Sequence, residues 1–523
     1  MGRSDALHLR HAHSLKLRAS ADRSVPSSAA HRRNPHMKLS NFLATVFLAL
    51  LLGACGGGGD GGKDTAPGSA NIPPVASAGA PQSASINTIV TLDGSQSSDA
   101  NGDVLSYAWT LTDKPAGSNA TLANPSFAKA GFIPDVAGAY TALLVVNDGR
   151  PNGTSSATVS IKATAVNVAG PGQFIGATLL KTITAAEVAA ALADDGEAAF
   201  LATPVYAVQA WRLSYLTVDS EGRQIVASGF VGIPQKPANA RSPVLSYQHA
   251  TIQKQADAPS ALTKLGDPPV VLASLGYIVA AADYVGYGVS AGVPHPYLMS
   301  APSAAAVIDL LTAAKFWRQT QQVPDNNQLF LTGYSEGGYV TVAAHRALQA
   351  GTSTHRSDLV RVVAGAGPYD VGATLDQLLE ILRRDYFPLG LLLDPGLLRY
   401  LGDTDRRHAR ELLMALLVGS DADATISPTV MDNFLADNRV AIDTLSSVTD
   451  WAPQVPLDLF HGRDDRTVPY LSATNTLKSM RARGAGNLVT LTDCVAQPAG
   501  HSQCVLPYWR FVLDRFGKDA KDL

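Results

Sequence analysis

Cysteine is scarce in this chain, three in 523 residues, so the placement of each carries more than their number. Charge is scarce too. Only 16% of residues are charged and the net charge is −3, which leaves no electrostatic case for nucleic acid as a partner. The apolar run at residues 42–52 falls short of the ~20 residues that a stable membrane-spanning helix needs. What remains is 46% hydrophobic, which argues for a well-filled core and against disorder. The length predicts two or three domains.

The first 36 residues differ from the rest. They hold His8, His11, His13, His31 and His36 among scattered Arg and Ser, with no apolar period. Met37 and Lys38 then open a second pattern: a positive start, the short apolar run, and Leu52, Gly53 and Ala54 directly before Cys55. That order fits a secretory signal over residues 37–54. The cysteine after Leu-Gly-Ala resembles a bacterial lipobox, which implies cleavage before Cys55 and lipid attachment to its thiol. On this reading residues 1–36 are a mis-assigned or disordered extension. Residues 55–70 form a Gly-rich linker of the kind a tether needs. A soluble secreted protein with an ordinary signal is the other reading.

Residues 71–164 read as strands throughout. Leu105, Tyr107, Trp109 and Leu111 alternate, as do Tyr140, Ala142, Leu144 and Val146, and then Val159 and Ile161. Turn clusters at 93–103 and 147–149 separate them. This spacing predicts an all-β, immunoglobulin-like sandwich. With Leu92, Asp93, Gly94 and Ser95, with Tyr107, Ala108 and Trp109, and with Val146, Asn147, Asp148 and Gly149, the segment resembles a PKD module. The Gly-Asp-Gly that follows the Trp strand in that family is absent. The Asp-rich turn reads as a solvated turn before it reads as a calcium loop, because no regular ligand spacing is present.

From residue 171 to 523 strands alternate with helices. Residues 205–218 and 224–233 predict a leading antiparallel pair. Short apolar strands follow at 243–247, 277–283, 329–334, 359–364, 456–461 and 488–492. Helices are expected at 303–317, 338–350 and 505–516. This is an α/β pattern, a mostly parallel sheet covered on both faces, whose ligands bind beyond the carboxyl ends of the strands. Residues 370–452 interrupt it with Leu-rich helical periods and predict a cap inserted between two strands. Ordinary crossover helices are shorter.

The chemistry sits at the end of the strand at 329–334. Gly333, Tyr334, Ser335, Glu336 and Gly337 form a G-x-S-x-G between strand and helix. A serine on such a turn is strained, so the flanking residues must be small, and the N–H of Glu336 points to where an oxyanion would form. A serine nucleophile needs a histidine base oriented by a carboxylate. In the chain order serine, acid, histidine, Ser335, Asp465 and His501 fill the roles. Asp464 is the rival acid. His461 precedes the acid and reads as a structural histidine. His249 is expected to shape the oxyanion loop, where Ala250 and Thr251 offer N–H groups; Asp283, after the next strand, is an alternative donor. Cys494 and Cys504 bracket His501, and in an exported protein they are expected to form a disulfide that stiffens the base, worth ~2–3 kcal/mol for a loop of this length.

The residues from about 170 onward resemble the secretory lipase family, the fungal lipase A type of α/β-hydrolase. The matching residues are Tyr247, Gln248, His249, Ala250 and Thr251; Asp283 with Tyr284, Gly286 and Gly288; the Gly333–Gly338 elbow; the helical insert; and Gly462, Asp465, Val468 and Pro469 before Gly500 and His501. Ala250 stands where that family tends to carry glycine. The resemblance implies an α/β-hydrolase fold with an inserted helical cap, behind the immunoglobulin-like sandwich. It also implies carboxylic ester hydrolysis through an acyl-serine, with the cap setting chain-length preference. No metal or organic cofactor is needed. The expected substrate is a small-molecule or lipid ester, and the expected location is the bacterial cell envelope, through the anchor at Cys55, or the medium. A serine peptidase on the same fold and a catalytically silent surface-binding protein are the other readings.

Overall fold

The computed structural model describes residues 70–194, 202–417 and 421–523. The signal, Cys55 and all but the last residue of the Gly-rich linker lie outside the described residues.

The first module has six strands: β1 (Gln82–Ser85), β2 (Val90–Asp93), β3 (Ser106–Asp113), β4 (Lys129–Phe132), β5 (Gly138–Asn147) and β6 (Thr154–Thr164). One sheet runs β1-β6-β5-β3, and β2 pairs with β4 as a ribbon. The period-2 pattern sets the packing. Tyr140, Ala142, Leu144 and Val146 alternate inward on β5 and meet Trp109, Val159 and Ile161, with Leu92 and Phe132 coming from the ribbon.

The second part carries β7 (Phe174–Ile183), α1 (Ala185–Asp194), β8 (Val208–Val218), β9 (Gln224–Pro234), β10 (Ser242–Gln248), α2 (Pro268–Ser274), β11 (Ile278–Ala282), α3 (Ser300–Thr320), β12 (Asp325–Tyr334), α4 (Glu336–Ala350) and β13 (Leu359–Gly365). The cap helices follow: α5 (Val371–Asp385), α6 (Phe387–Leu392), α7 (Pro395–Leu398), α8 (Asp403–Leu417), α9 (Thr429–Leu435) and α10 (Arg439–Leu445). Then come β14 (Leu457–His461), α11 (Leu471–Ala482), β15 (Val489–Asp493) and α12 (Val505–Asp519).

The sheet order is β15-β14-β13-β12-β10-β11-β9-β8-β7. Strands β10 to β15 pair in parallel; β7, β8 and β9 add an antiparallel edge, joined through β9 to β11. This is the α/β-hydrolase fold, with its cap inserted between β13 and β14. Strands β10, β11 and β14 are buried along their whole length, as strands covered on both faces must be. On β12 the alternation is visible side chain by side chain. Leu329 and Leu331 join the core built with α3 and α4, while Phe330 turns to the opposite face and packs on Phe516 of α12.

Strand β7 is one of the elements that the sequence pattern did not predict, along with α1, α2 and α11. Most of its side chains are not buried, so it carries no hydrophobic alternation; its place comes from ladder pairing with β8.

Candidate active site

Strand β12 ends at Tyr334 and α4 begins at Glu336, so Ser335 alone makes the turn. Its backbone sits at φ +59°, ψ −125°, a conformation that costs on the order of 1–3 kcal/mol for a residue with a side chain. The surroundings hold it there: Ser335 N–H donates to Gly365 O at 2.9 Å, and Ser335 O accepts from Tyr339 N–H at 3.1 Å. The glycines on either side are sterically required. A Cβ on Gly333 would lie 2.4 Å from Gly337 O, and one on Gly337 would lie 2.1 Å from Gln248 O. Close packing of the elbow against the end of β10 is what the G-x-S-x-G spacing permits.

The Oγ of Ser335 lies 2.9 Å from His501 Nε2, and His501 Nδ1 lies 2.6 Å from Asp465 Oδ2. Asp465 is held from its other side: Thr467 N–H and Val468 N–H donate to Oδ1 at 2.9 and 2.8 Å. Burial pushes this carboxyl up, but the hydrogen bonds from His461 and His501 outweigh it and hold the group at about 2. Asp465 is therefore ionised at any pH at which an imidazole titrates.

Asp464, the rival acid, is exposed and faces the other way. Its Oδ2 accepts from Ala499 N–H at 2.8 Å, and its own N–H donates to Ala499 O at 3.1 Å. It fastens the loop that carries His501. His461 is fully buried, with Nε2 2.8 Å from Val468 O and 3.4 Å from Asp465 Oδ2. It supports the acid from behind and does not touch the serine. Cys494 and Cys504 are disulfide-bonded, tying the residue after β15 to the residue before α12 across the His501 loop. Tyr334 O–H donates to His501 O at 2.8 Å from below.

The oxyanion side needs one correction. Glu336 N–H, at the start of α4, and Ala250 N–H, in the loop after β10, make no hydrogen bond among the described residues. Asp283, the alternative donor, is turned inward. Its N–H donates to Ser228 O at 3.0 Å, and its carboxylate accepts from Ser228 Oγ, Ser260 Oγ and Ser260 N–H at 2.6, 2.6 and 2.8 Å. A backbone N–H already used by the neighbouring strand is not free to meet an oxyanion. Asp283 instead braces the loop beside His249, whose ring nitrogens lie 2.7 Å from Ala250 O and 3.2 Å from Asp283 O and whose ring stacks on Tyr284 at 4.0 Å.

Two contributors had no sequence motif. Tyr508 of α12 reaches under the elbow, where its hydroxyl meets Thr332 Oγ1, Gly333 O and Val363 O at 2.6, 2.8 and 3.0 Å. His295 lies 2.7 Å from Glu336 Oε1, both side chains being 2% exposed. A carboxyl placed directly after a buried elbow requires a partner, and that requirement was the available signal.

Known proteins resemble the chain in one sequence domain and in fold. Residues 71–163 match the PKD domain family. The residues matched are those of the six-stranded sandwich that precedes the α/β part. No curated protein matches the chain by sequence. Among solved structures, a candidate hydrolase from Legionella pneumophila aligns at 21% identity over 66% of this chain and 97% of its own, with a TM-score of 0.53. A ligand-bound form of the rice cell wall degrading esterase LipA from Xanthomonas oryzae aligns at 23% identity over 67% and 100%, with a TM-score of 0.52. Candida antarctica lipase A in its closed state gives 17% identity over 68% and 84%, with a TM-score of 0.44, and nothing below rests on it. At these identities the likeness is one of fold.

Proposed function

We propose that the chain is a serine carboxylic ester hydrolase in which Ser335 is the nucleophile, His501 the base and Asp465 the residue that orients it. The observation that carries this reading is the continuous hydrogen-bonded line from Ser335 Oγ through His501 to Asp465, at 2.9 and 2.6 Å. His501 Nε2 takes the serine proton as Oγ attacks the acyl carbonyl. The Asp465 carboxylate stabilises the imidazolium that forms. Glu336 N–H and Ala250 N–H accept the role of donors to the tetrahedral oxyanion, the first with the helix N-terminus behind it. The same imidazolium returns its proton to the leaving alcohol oxygen. A water molecule then attacks the acyl-serine with His501 again as base.

That the structures sharing the fold include an esterase supports esters over amides as substrates, and the Leu-rich cap supports an apolar acyl group. Export, with lipid attachment at Cys55, belongs to the same proposal. No helix among the described residues is long and apolar enough to cross a membrane.

Labelling with a serine-directed fluorophosphonate tests the assignment. Wild type is expected to label once per chain and Ser335→Ala not at all. Equal labelling of the two proteins would remove Ser335 from the mechanism.

A further inference from the structure

The Glu336–His295 contact joins three parts of the molecule. Glu336 is the first residue of α4 and supplies the oxyanion N–H in the mechanism above. Its carboxyl lies 2.7 Å from His295 Nε2, and His295 Nδ1 lies 2.9 Å from Val285 O in the loop after β11. The His295 backbone is paired with the cap: its N–H donates to Thr425 O at 2.7 Å and its O accepts from Ser427 N–H at 2.8 Å. Gly286 lets the ring approach, since a Cβ there would lie 3.0 Å from His295 Cα.

The proton count at this contact is fixed by geometry. A carbonyl oxygen only accepts, so Nδ1 carries a proton toward Val285 O. Nε2 and Oε1 at 2.7 Å cannot meet as two bare acceptors, so one further proton lies between them. The pair is therefore neutral as a unit.

We propose that His295 is a positioning residue, which by holding the Glu336 carboxyl fixes the Ser335–Glu336 peptide and registers its oxyanion N–H against the cap edge at residues 425–427. This rests on the ester-hydrolase reading of Ser335. The peptide concerned follows a strained residue, so its orientation depends on what anchors it at each end. Ser335 N–H is anchored on Gly365, and the Glu336 side chain is anchored on His295. A shift of a few tenths of an ångström in that N–H matters, because an oxyanion donor acts only at hydrogen-bond distance from the developing charge.

Other titratable groups pack around the pair. Tyr284, Tyr287 and Tyr297 lie with ring centroids 5.9, 5.3 and 6.0 Å from His295, and burial pushes all three phenols well up. His249, behind Tyr284, is pushed down by burial. From the cap side, Asp423 is turned to Gln255 N–H at 2.7 Å.

The test compares wild type, Ser335→Ala, His295→Ala and His295→Gln for p-nitrophenyl butyrate turnover at neutral pH. His295→Ala is expected to lower kcat about 100-fold while KM moves less than about threefold. His295→Gln, whose amide still donates to the carboxylate, recovers most of that loss. A folded His295→Ala with wild-type kcat, or one in which KM alone rises, overturns the positioning role. So does a folded His295→Gln protein with kcat about 100-fold below wild type, which decides the matter even if His295→Ala does not fold. Turnover retained by Ser335→Ala would instead overturn the ester-hydrolase reading itself, a distinct result.

Discussion

The elbow and the cap lie on one chain and obey opposite rules. Around Ser335 the backbone is packed to contact distance, His501 is hydrogen-bonded to both Ser335 and Asp465, and the Asp465 side chain is fully enclosed. In the cap, Tyr386, Phe387, Leu391, Leu392 and Tyr400 lie largely in solvent, Tyr400 with 76% of its surface exposed. Its helices are tied by surface-side ion pairs such as Arg383–Asp394, Arg439–Asp376 and Arg410–Asp432. Pairs of this kind contribute little each. Tight packing suits a geometry that must not vary, and exposed apolar helices suit the acyl-binding role that the proposed function gives the cap. Mutations in the two regions should therefore fail differently.

The largest effect is expected at the nucleophile. Ser335→Ala should lower ester turnover by several powers of ten with an unchanged melting temperature, measured by steady-state kinetics and calorimetry. Asp465→Asn should follow, with kcat down on the order of 10³-fold, because an amide no longer holds the imidazole in the required tautomer. It should also change acid stability. The folded-state carboxyl is lowered from its ordinary 3.8 to about 2, so its stabilisation is complete above the ordinary value and is lost as pH falls from 3.8 through 2. Wild type should thus lose more stability over that window than Asp465→Asn, by about 2 kcal/mol. Equal acid unfolding curves would contradict the assignment.

Gly337→Ala should break the elbow without touching the chemistry. The new Cβ meets the backbone oxygen of Gln248, and relief requires moving α4 or β10; a stability loss of about 1–3 kcal/mol is expected, together with lost turnover. Cys504→Ala should cost ~2–3 kcal/mol for a bridge spanning 10 residues, read as a lower melting temperature and slower turnover near it. The smallest stability effect belongs to the cap. Phe387→Ser with Tyr400→Ser should move stability by less than about 1 kcal/mol, yet lower the ratio of long-chain to short-chain ester rates. An unchanged ratio would detach the exposed cap residues from acyl selection.

The same contrast explains what could be read from the sequence. The elbow was legible because sterics leave few residues that fit a strand-to-helix turn of this kind, and the parallel sheet because doubly covered strands are uniformly apolar. Ser335, His501 and Asp465 were nameable from chain order, and the structure brings the three together. Strand β7 was not legible, since an edge strand with exposed faces carries no hydrophobic period. Asp283 was misread because sequence places it at a strand end without showing that Ser228 already uses its N–H. His295 lies 41 residues before Glu336, and only the folded chain brings the two together.

The most direct test of the central claim is to trap the acyl-enzyme. Wild type is mixed with p-nitrophenyl butyrate, quenched in acid within the first turnover, digested, and its peptides weighed. The butyryl mass is expected on the peptide that contains Ser335 and nowhere else. Ester consumed in this reaction with no acyl group on that peptide would contradict the account.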